Sequence, residues 1–346
     1  MDPDFNFPYS ATDLTEQINR IPNSYGLLRV MGLFSEEGVI STTVEIRMED
    51  GLLVVLPATE RGAPGTLAGR ETGKTLFFKV PHFPHRDLIK PADIQNMLVM
   101  QGRMKRPATV ADEVAKRLNN LRNNHAITLE YVRMGALKGT IKDGNGAVIY
   151  DLYDEFNIVQ HDVDFVLGTA GTDVIAKAEE VTDYIITNLK GEVASGIEVQ
   201  VDGGFFNKLI QHPKVEKYWL QTNSAGVLAN MERNRLGGNW GRVFEFANIM
   251  WRENKTTFPV RVNGALTGEA AIEANAGYAY PTGTLDTFKT WFAPADTMST
   301  LNAPGDQIFV SSEVLDHQKG IDLWSESNPL ALVKRPELVV RAHSSN

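Results

Sequence analysis

Gly69-Arg70-Glu71-Thr72-Gly73-Lys74-Thr75 carries the glycines, lysine and hydroxyl with which a phosphate-binding loop cradles a nucleotide. Three residues separate these glycines where that loop needs four, and Ala68 stands where its first glycine belongs. The stretch also runs into a strand-like segment, so no helix N-terminus faces a phosphate. It reads as a flexible loop tip. His82 and His85 stand three apart and could share a metal ion, but Pro81 and Pro84 forbid a regular helix between them. No third ligand has a motif spacing, although Asp87 is near. Asp143, Asn145 and Asp154 mimic positions 1, 3 and 12 of a calcium loop, which Ala147 at position 5 and Val148 in place of the required glycine break. The carboxylate pairs Asp154–Glu155 and Glu179–Glu180 are adjacent in sequence and face different ways, which makes them poor acid–base couples. His125 lies on the apolar side of a helical pattern and reads as a hydrogen-bonded core or interface histidine. Gly-x-Ser-x-Gly, His-Glu-x-x-His and Gly-x-Gly-x-x-Gly are all missing. With no cysteine there is no thiolate nucleophile, disulfide or iron–sulfur cluster. Nothing in these residues argues for an enzyme, a metal or a cofactor.

The elements that carry them belong to an ordinary globular chain of 346 residues, 42% hydrophobic and 22% charged, long enough for about two domains. Its net charge of −9 argues against nucleic-acid binding by the whole surface and leaves room for a local basic patch. Met1–Ser10 is acidic and proline-bearing, unlike a secretory signal. No run approaches the ~18 apolar residues of a membrane span. Asn254-Lys255-Thr256 is a glycosylation sequon by spelling only.

Residues 1–37 read as an extended arm with one short helix, opened by Ser10 and Asp13 at capping-box spacing and stopped by Pro22 and Asn23. Residues 38–90 read as a β-excursion. Thr42, Val44, Ile46 and Met48 alternate with polar residues, Leu52–Leu56 is solidly apolar, Ala58–Gly73 is glycine-rich, and Thr75–Val80 returns as a strand. Two arms of about eight residues reach ~26 Å, more than the ~20 Å radius of gyration of a compact body of this size. The run Leu52–Leu56 asks for cover on both faces, which a projecting hairpin would obtain from another subunit. A central strand of an ordinary sheet remains the other reading of that run.

Val110, Val114, Leu118, Leu121, His125, Leu129 and Val132 predict a long helix over 107–138, with Pro107 in its first turn, Gly135 and Gly139 at its end, and a hairpin turn at Asp143–Gly146 beyond it. Further helices are predicted over 172–190, around Phe205–Ile210 and from Pro213 through Val215 to Leu220. Strands are predicted at Ile197–Val201, Arg242–Met250 with Thr257–Val262 as a pairing candidate, Gln307–Val310 and Leu338–Arg341, and 277–306 reads as irregular. Between Arg103 and Lys142 nine basic residues face three acids, so a basic rod crosses an acidic protein. Lys116, Arg117 and Arg122 are candidates for phosphate contact without base readout; a solvated face or pairing with acidic neighbours is the alternative.

The order of these features resembles the tailed-phage major capsid proteins of the lambda-like major capsid protein E family, with the Hong Kong 97 fold. Thr42–Arg47 (TTVEIR), Glu130–Gly146 (EYVRMGALKGTIKDGNG), Val201-Asp202 before the helix at Phe205, and Pro329–Ala342 (PLALVKRPELVVRA) carry the likeness, which spans nearly the whole chain. The resemblance implies an α+β fold with an N-terminal arm (1–37), an extended loop (38–88), a peripheral domain (89–196 with 313–346) carrying the spine helix, and an axial domain (197–312). It implies pentamers and hexamers in an icosahedral head around double-stranded DNA, built in the host cytoplasm. The implied partners are other copies, a portal, a separate scaffold and a decoration protein, with no membrane, cofactor or catalytic residue. Leu28, Phe34, Leu52, Val54, Leu56, Phe77 and Phe78 are then the candidates for contacts between subunits. Two other readings stay open: an encapsulin-type compartment shell that carries cargo enzyme, and a two-domain enzyme with an unrecognised site that uses 58–73 as a lid.

Overall fold

Ser10 opens helix α1 (Ala11–Arg20): its hydroxyl accepts the Asp13 N–H (3.2 Å), while Asp13 Oδ2 accepts the Ser10 N–H (3.0 Å). The computed structural model describes residues 9–20, 26–48, 74–95, 97–101, 104–107, 109–222, 241–262 and 264–346. After α1 come α2 (Leu27–Met31), β1 (Ser35–Gly38), β2 (Thr43–Met48), β3 (Lys74–Lys79), β4 (Phe83–Ile89), α3 (Pro91–Ile94), β5 (Leu98–Gln101) and β6 (Met104–Pro107). The long helix α4 (Val110–Lys138) leads to β7 (Thr140–Lys142), β8 (Val148–Asp151), α5 (Leu152–Phe156), β9 (His161–Asp164), α6 (Val174–Asn188), β10 (Gly196–Val201), α7 (Gly203–Gln211) and α8 (Pro213–Thr222). The remainder is strand: β11 (Val243–Phe246), β12 (Ile249–Glu253), β13 (Thr257–Val262), β14 (Ala265–Ala270), β15 (Ala276–Thr282), β16 (Phe288–Phe292), β17 (Phe309–Val314), β18 (Ile321–Ser327), β19 (Pro329–Val333) and β20 (Val340–His343).

The architecture is α+β. A mixed six-stranded sheet runs β11-β12-β10-β15-β20-β9, and two three-stranded sheets run β1-β16-β19 and β17-β18-β4. Four two-stranded hairpins accompany these sheets among the described residues: β2–β3, β5–β6, β7–β8 and β13–β14. One core lies between the six-stranded sheet and α6, α7 and α8, around Phe165, Phe205 and Trp251. A second joins the C-terminal half of α4 to β16, β19 and the base of the β2–β3 hairpin. A third packs α1 and the N-terminal half of α4 on β17 and β18. Helix α4 has 29 residues, a rod of ~44 Å.

Several expectations need correction. Pro107 ends β6; α4 starts later, on a capping box between Thr109 and Asp112. The segment Arg242–Met250 is a hairpin, because Ala247 and Asn248 both take positive φ (52° and 60°), the geometry of a type I′ turn. Strand β13 pairs with β14 instead of with that hairpin. Most important, the first half of 277–306 is not irregular, whereas from Ala293 onward only the 3-10 turn Met298–Thr300 breaks the irregular course expected there. Strand β15 sits inside the six-stranded sheet with both faces buried, and β16 follows it. Pro281 is tolerated there because β20 pairs only with Ala276–Ala279, leaving the proline beyond the reach of that neighbour. Strands β18 and β19, unforeseen, complete two sheets. The six-stranded sheet takes β9 and β20 from outside 197–312, and β16 pairs with β19 across the expected break at 312.

Candidate functional site

Two features offer themselves as functional: the β2–β3 hairpin and the clasp between α4 and the N-terminal arm. In the hairpin Val44 faces Phe78 and Ile46 faces Leu76, while Glu45 faces Phe77. Strand alternation sends the first set inward. Phe78 is buried between Tyr150 (edge-on, 5.3 Å) and Phe156 (stacked, 5.9 Å). Phe77, on the opposite face, is 68% exposed. Leu28 and Phe34 are buried by their own chain, Phe34 edge-on to Phe288 at 5.6 Å. Of the seven apolar candidates, Phe77 therefore presents its ring outward, Leu28, Phe34 and Phe78 serve the internal core, and Leu52, Val54 and Leu56 lie outside the described residues.

The basic residues of α4 turn out to be paired. Arg117 meets three carboxylates: Nε donates to Glu113 Oε1 (2.7 Å), Nη1 to Asp87 Oδ1 (3.1 Å) and Nη2 to Asp93 Oδ2 (3.4 Å). This ties α4 to β4 and α3, and hydrogen bonding to Glu113 holds the guanidinium pKa up. Arg122 is 3% exposed; one Nη donates to Gln307 Oε1 (3.4 Å) and its Nε is without a partner. Burial, aided by the nearby Arg29 charge, draws its pKa down to about 10. Lys116 pairs with Glu113 (3.3 Å) and keeps its side chain more than half exposed.

About two turns beyond Arg122, Glu130 and Arg133 hold the arm. Helix α4 is buried on every side from Val132 to Leu137, so polar groups there must find partners. The Leu28 N–H donates to Glu130 Oε1 (2.7 Å), and the N–H groups of Leu27 and Arg29 face the same carboxylate. Glu130 thereby caps α2 from another helix. Gly26 (φ 111°) allows the approach, since a Cβ there would lie 2.8 Å from Glu130 Oε2. Arg133, 1% exposed, donates to Glu36 Oε1 (2.8 Å) and Thr290 Oγ1 (3.1 Å) and lies over the Phe34 ring. Gln307 links Glu36 to Arg29 and Arg122. No sequence motif marks this clasp; its one trace is a Glu–Arg pair three apart on a stripe with Ala126 and Leu137.

The other motif residues have structural partners. His82 Nδ1 meets Asn328 Oδ1 (2.9 Å) and His85 Nε2 meets Asn124 (3.1 Å), so the two rings turn to different neighbours. Among the described residues no three His, Asp or Glu side chains converge on a metal position. Asp143 Oδ1 accepts the N–H groups of Asn145 and Ala147 (both 2.9 Å) and so shapes its hairpin turn. Lys74 and Thr75 open β3; Gly69–Gly73 lie outside the described residues. His125 Nε2 lies 2.9 Å from Ser325 Oγ, whose single proton goes to the His85 carbonyl (2.9 Å). The serine must therefore accept, which sets the proton on His125 Nε2.

Residues 10–344 match the model of a family described as phage major capsid protein E. The chain is 31% identical to the major capsid protein of Pseudomonas phage KPP10, over 98% of this chain and 97% of that protein. It is 27% identical to the major capsid protein of Salmonella phage Felix O1, over 96% and 95% respectively. Among solved structures, a prophage protein from E. coli CFT073 superposes with a TM-score of 0.63 at 14% identity, covering 98% of this chain and 100% of that one. The capsid of cyanophage P-SCSP1u gives 0.50 at 11% identity, over 94% and 90%. These structures share the fold.

Proposed function

The chain belongs to the phage major capsid protein E family and forms a phage head shell, and from that premise we propose the finer arrangement. The subunits assemble as pentamers and hexamers in an icosahedral lattice that encloses double-stranded DNA, in the host cytoplasm, with a scaffold, a portal and a decoration protein as partners. The observation that carries this is the family correspondence itself, which runs from residue 10 to residue 344 and so takes in the arm, the hairpin and the long helix together. The β2–β3 hairpin with its exposed Phe77 lies over a neighbouring subunit, and Leu52, Val54 and Leu56, which follow β2 in sequence, remain candidates for the same contact. The long helix belongs to a peripheral domain. The six-stranded sheet, extended by β9 and β20, forms the axial domain. Of Lys116, Arg117 and Arg122, we assign non-specific phosphate contact to Lys116, whose ammonium is accessible, and a scaffold role inside the subunit to the two arginines.

Electron microscopy of the protein expressed with its neighbouring head genes tests the arrangement. Wild type is expected to give closed shells, and deletion of Ala58–Gly73 a folded subunit without stable particles. Particles of normal yield and strength from the deletion would refute the clamp. Lys116→Gln is expected to lower retained DNA while leaving empty-shell yield unchanged; equal losses of both would move Lys116 to subunit pairing.

A further inference from the structure

We infer that neighbouring copies join head to tail through a knob and a groove at opposite ends of the β17-β18-β4 sheet. This deepens the shell reading above and rests on it. The groove is a cavity of about 380 Å³ beside the N-terminal end of α4, with walls of Ile89, Pro91, Ile94, Val110 and Ile321. Beyond it the exposed side chains of Met97 and Leu98 continue the apolar surface along the chain. The knob is the 3-10 turn Met298–Thr300, where Met298 is 89% and Leu301 66% exposed.

That turn is held rigidly before any partner arrives. Thr300 Oγ1 donates to the Ala295 carbonyl (2.7 Å), Thr297 Oγ1 meets Thr300 Oγ1 (3.0 Å), and the Asp296 N–H donates to the buried Glu326 carboxylate (2.8 Å). Two large apolar side chains held out in water on a backbone that is already ordered gain from burial, and docking has only their own rotamer freedom to restrict. The knob cannot fill the groove of its own chain. Its anchor Glu326 pairs with Pro84 and Phe309 at one end of the sheet, whereas the groove lies where Ile321 pairs with Ile89 at the other. The seven residues of β18 put ~20 Å between them. The occupant is therefore the knob of a second copy. Charge agrees: between Lys289 and Lys319 the chain has no Lys or Arg, and Asp296 and Asp306 flank the knob. At the groove the side chains of Lys90 and Lys319 are exposed, with Asp93 beside the first and Asp316 beside the second. A contact between different patches of identical subunits repeats from copy to copy and closes into rings when the rotation allows.

The absence of native cysteine makes the test clean. Met298→Cys with Gln95→Cys, and separately Leu301→Cys with Ile94→Cys, are introduced and particles are oxidised mildly. Each pair is expected to give a ladder of covalent oligomers on a denaturing gel, with each single variant giving dimers at most. Particles without a ladder from either pair overturn the contact. In shells of the Gln95→Cys variant, maleimide labelling is expected to slow at least tenfold relative to free subunit; unchanged labelling also overturns it. Met298→Asp is expected to cut particle yield at least tenfold with the melting midpoint of the free subunit unchanged, and a normal yield refutes the knob. Failure of the wild-type chain to form particles would instead refute the shell reading on which the contact rests.

Discussion

Replacing Glu130 by alanine should release the N-terminal arm without unfolding the body. The carboxylate accepts the Leu28 N–H at 2.7 Å and faces those of Leu27 and Arg29. Its loss leaves buried donors unanswered and takes one negative charge from beside Arg133. A hydrogen bond to a charged acceptor is worth about 1.5–3 kcal/mol, and an orphaned buried donor about as much. A net loss of about 3 kcal/mol, at 1.4 kcal/mol per factor of ten, raises the open population of the arm by roughly a hundredfold. Hydrogen exchange reads this directly. The amides of Leu27, Leu28 and Arg29 should speed up by about that factor, while those of Leu129–Leu137 should not change. Unchanged exchange at the three arm amides would refute the clasp; uniform acceleration everywhere would show that Glu130 acts on the whole fold instead. Burial, against the pull of the backbone donors and Arg133, leaves the Glu130 pKa above its ordinary 4.5. The folded state then binds more protons than the unfolded one in the window just above 4.5, so arm docking weakens as pH rises through it. Glu130→Gln should abolish that slope.

Two further predictions concern pH. Burial first, then the His85 and Arg122 charges, draw the His125 pKa down to about 3, so the unfolded state binds the extra proton below its ordinary 6.5 and stability falls on acidification. Between pH 6.5 and 5 urea unfolding should show a loss of about 2 kcal/mol in wild type that His125→Gln lacks; equal losses would clear His125 of the effect. At Glu253 burial would raise the pKa, but hydrogen bonds from the Arg242 side chain and backbone and from Lys255 outweigh it and hold it at about 2. That stabilisation is complete above 4.5 and is lost as pH falls toward 2. Glu253→Gln should therefore flatten acid unfolding in that window, and an unchanged titration would place the acid sensitivity elsewhere.

Where local chemistry decided the structure, the sequence was legible. Ser10–Asp13, the apolar stripe of α4 and the Asp143–Gly146 turn each contain their own geometric cause, and each was read to within a few residues. The order of such elements along the chain was enough to suggest the family. What could not be read depends on distant partners. Strand β15 (AGYAYPT) looks irregular because its small residues and proline are explained only by strands β10 and β20 on either side. The turn at Ala247-Asn248 lacks the glycine that usually marks positive φ. The arm clasp joins Glu36, Glu130, Arg133 and Gln307, residues up to 271 positions apart.

The basic rod shows why composition misleads about direction. Six of its nine basic residues have described side chains, and five of these lie within 3.5 Å of a carboxylate oxygen: Lys116, Arg117, Arg133, Lys138 and Lys142. The sixth, Arg122, is buried beside Gln307. Apart from Glu113, which lies on the helix itself, the acids that answer them come from the arm, β4, α3, β14 and the turn before β15. A segment of one sign within a chain of the other is therefore the expected trace of two parts that pack together, and needs no outside polyanion. The apolar residues run the opposite way: Phe77, Met298 and Leu301 face solvent although the cores have aromatic and aliphatic side chains in plenty. A subunit that answers the described basic residues of its long-helix segment internally and leaves large apolar side chains on a strand and a turn has strong unmet interactions to make with other copies. The apolar part of such contacts depends little on salt, whereas phosphate binding depends on it steeply. Shell cohesion should accordingly survive ionic strengths that release any DNA held through the phosphate contact proposed for Lys116.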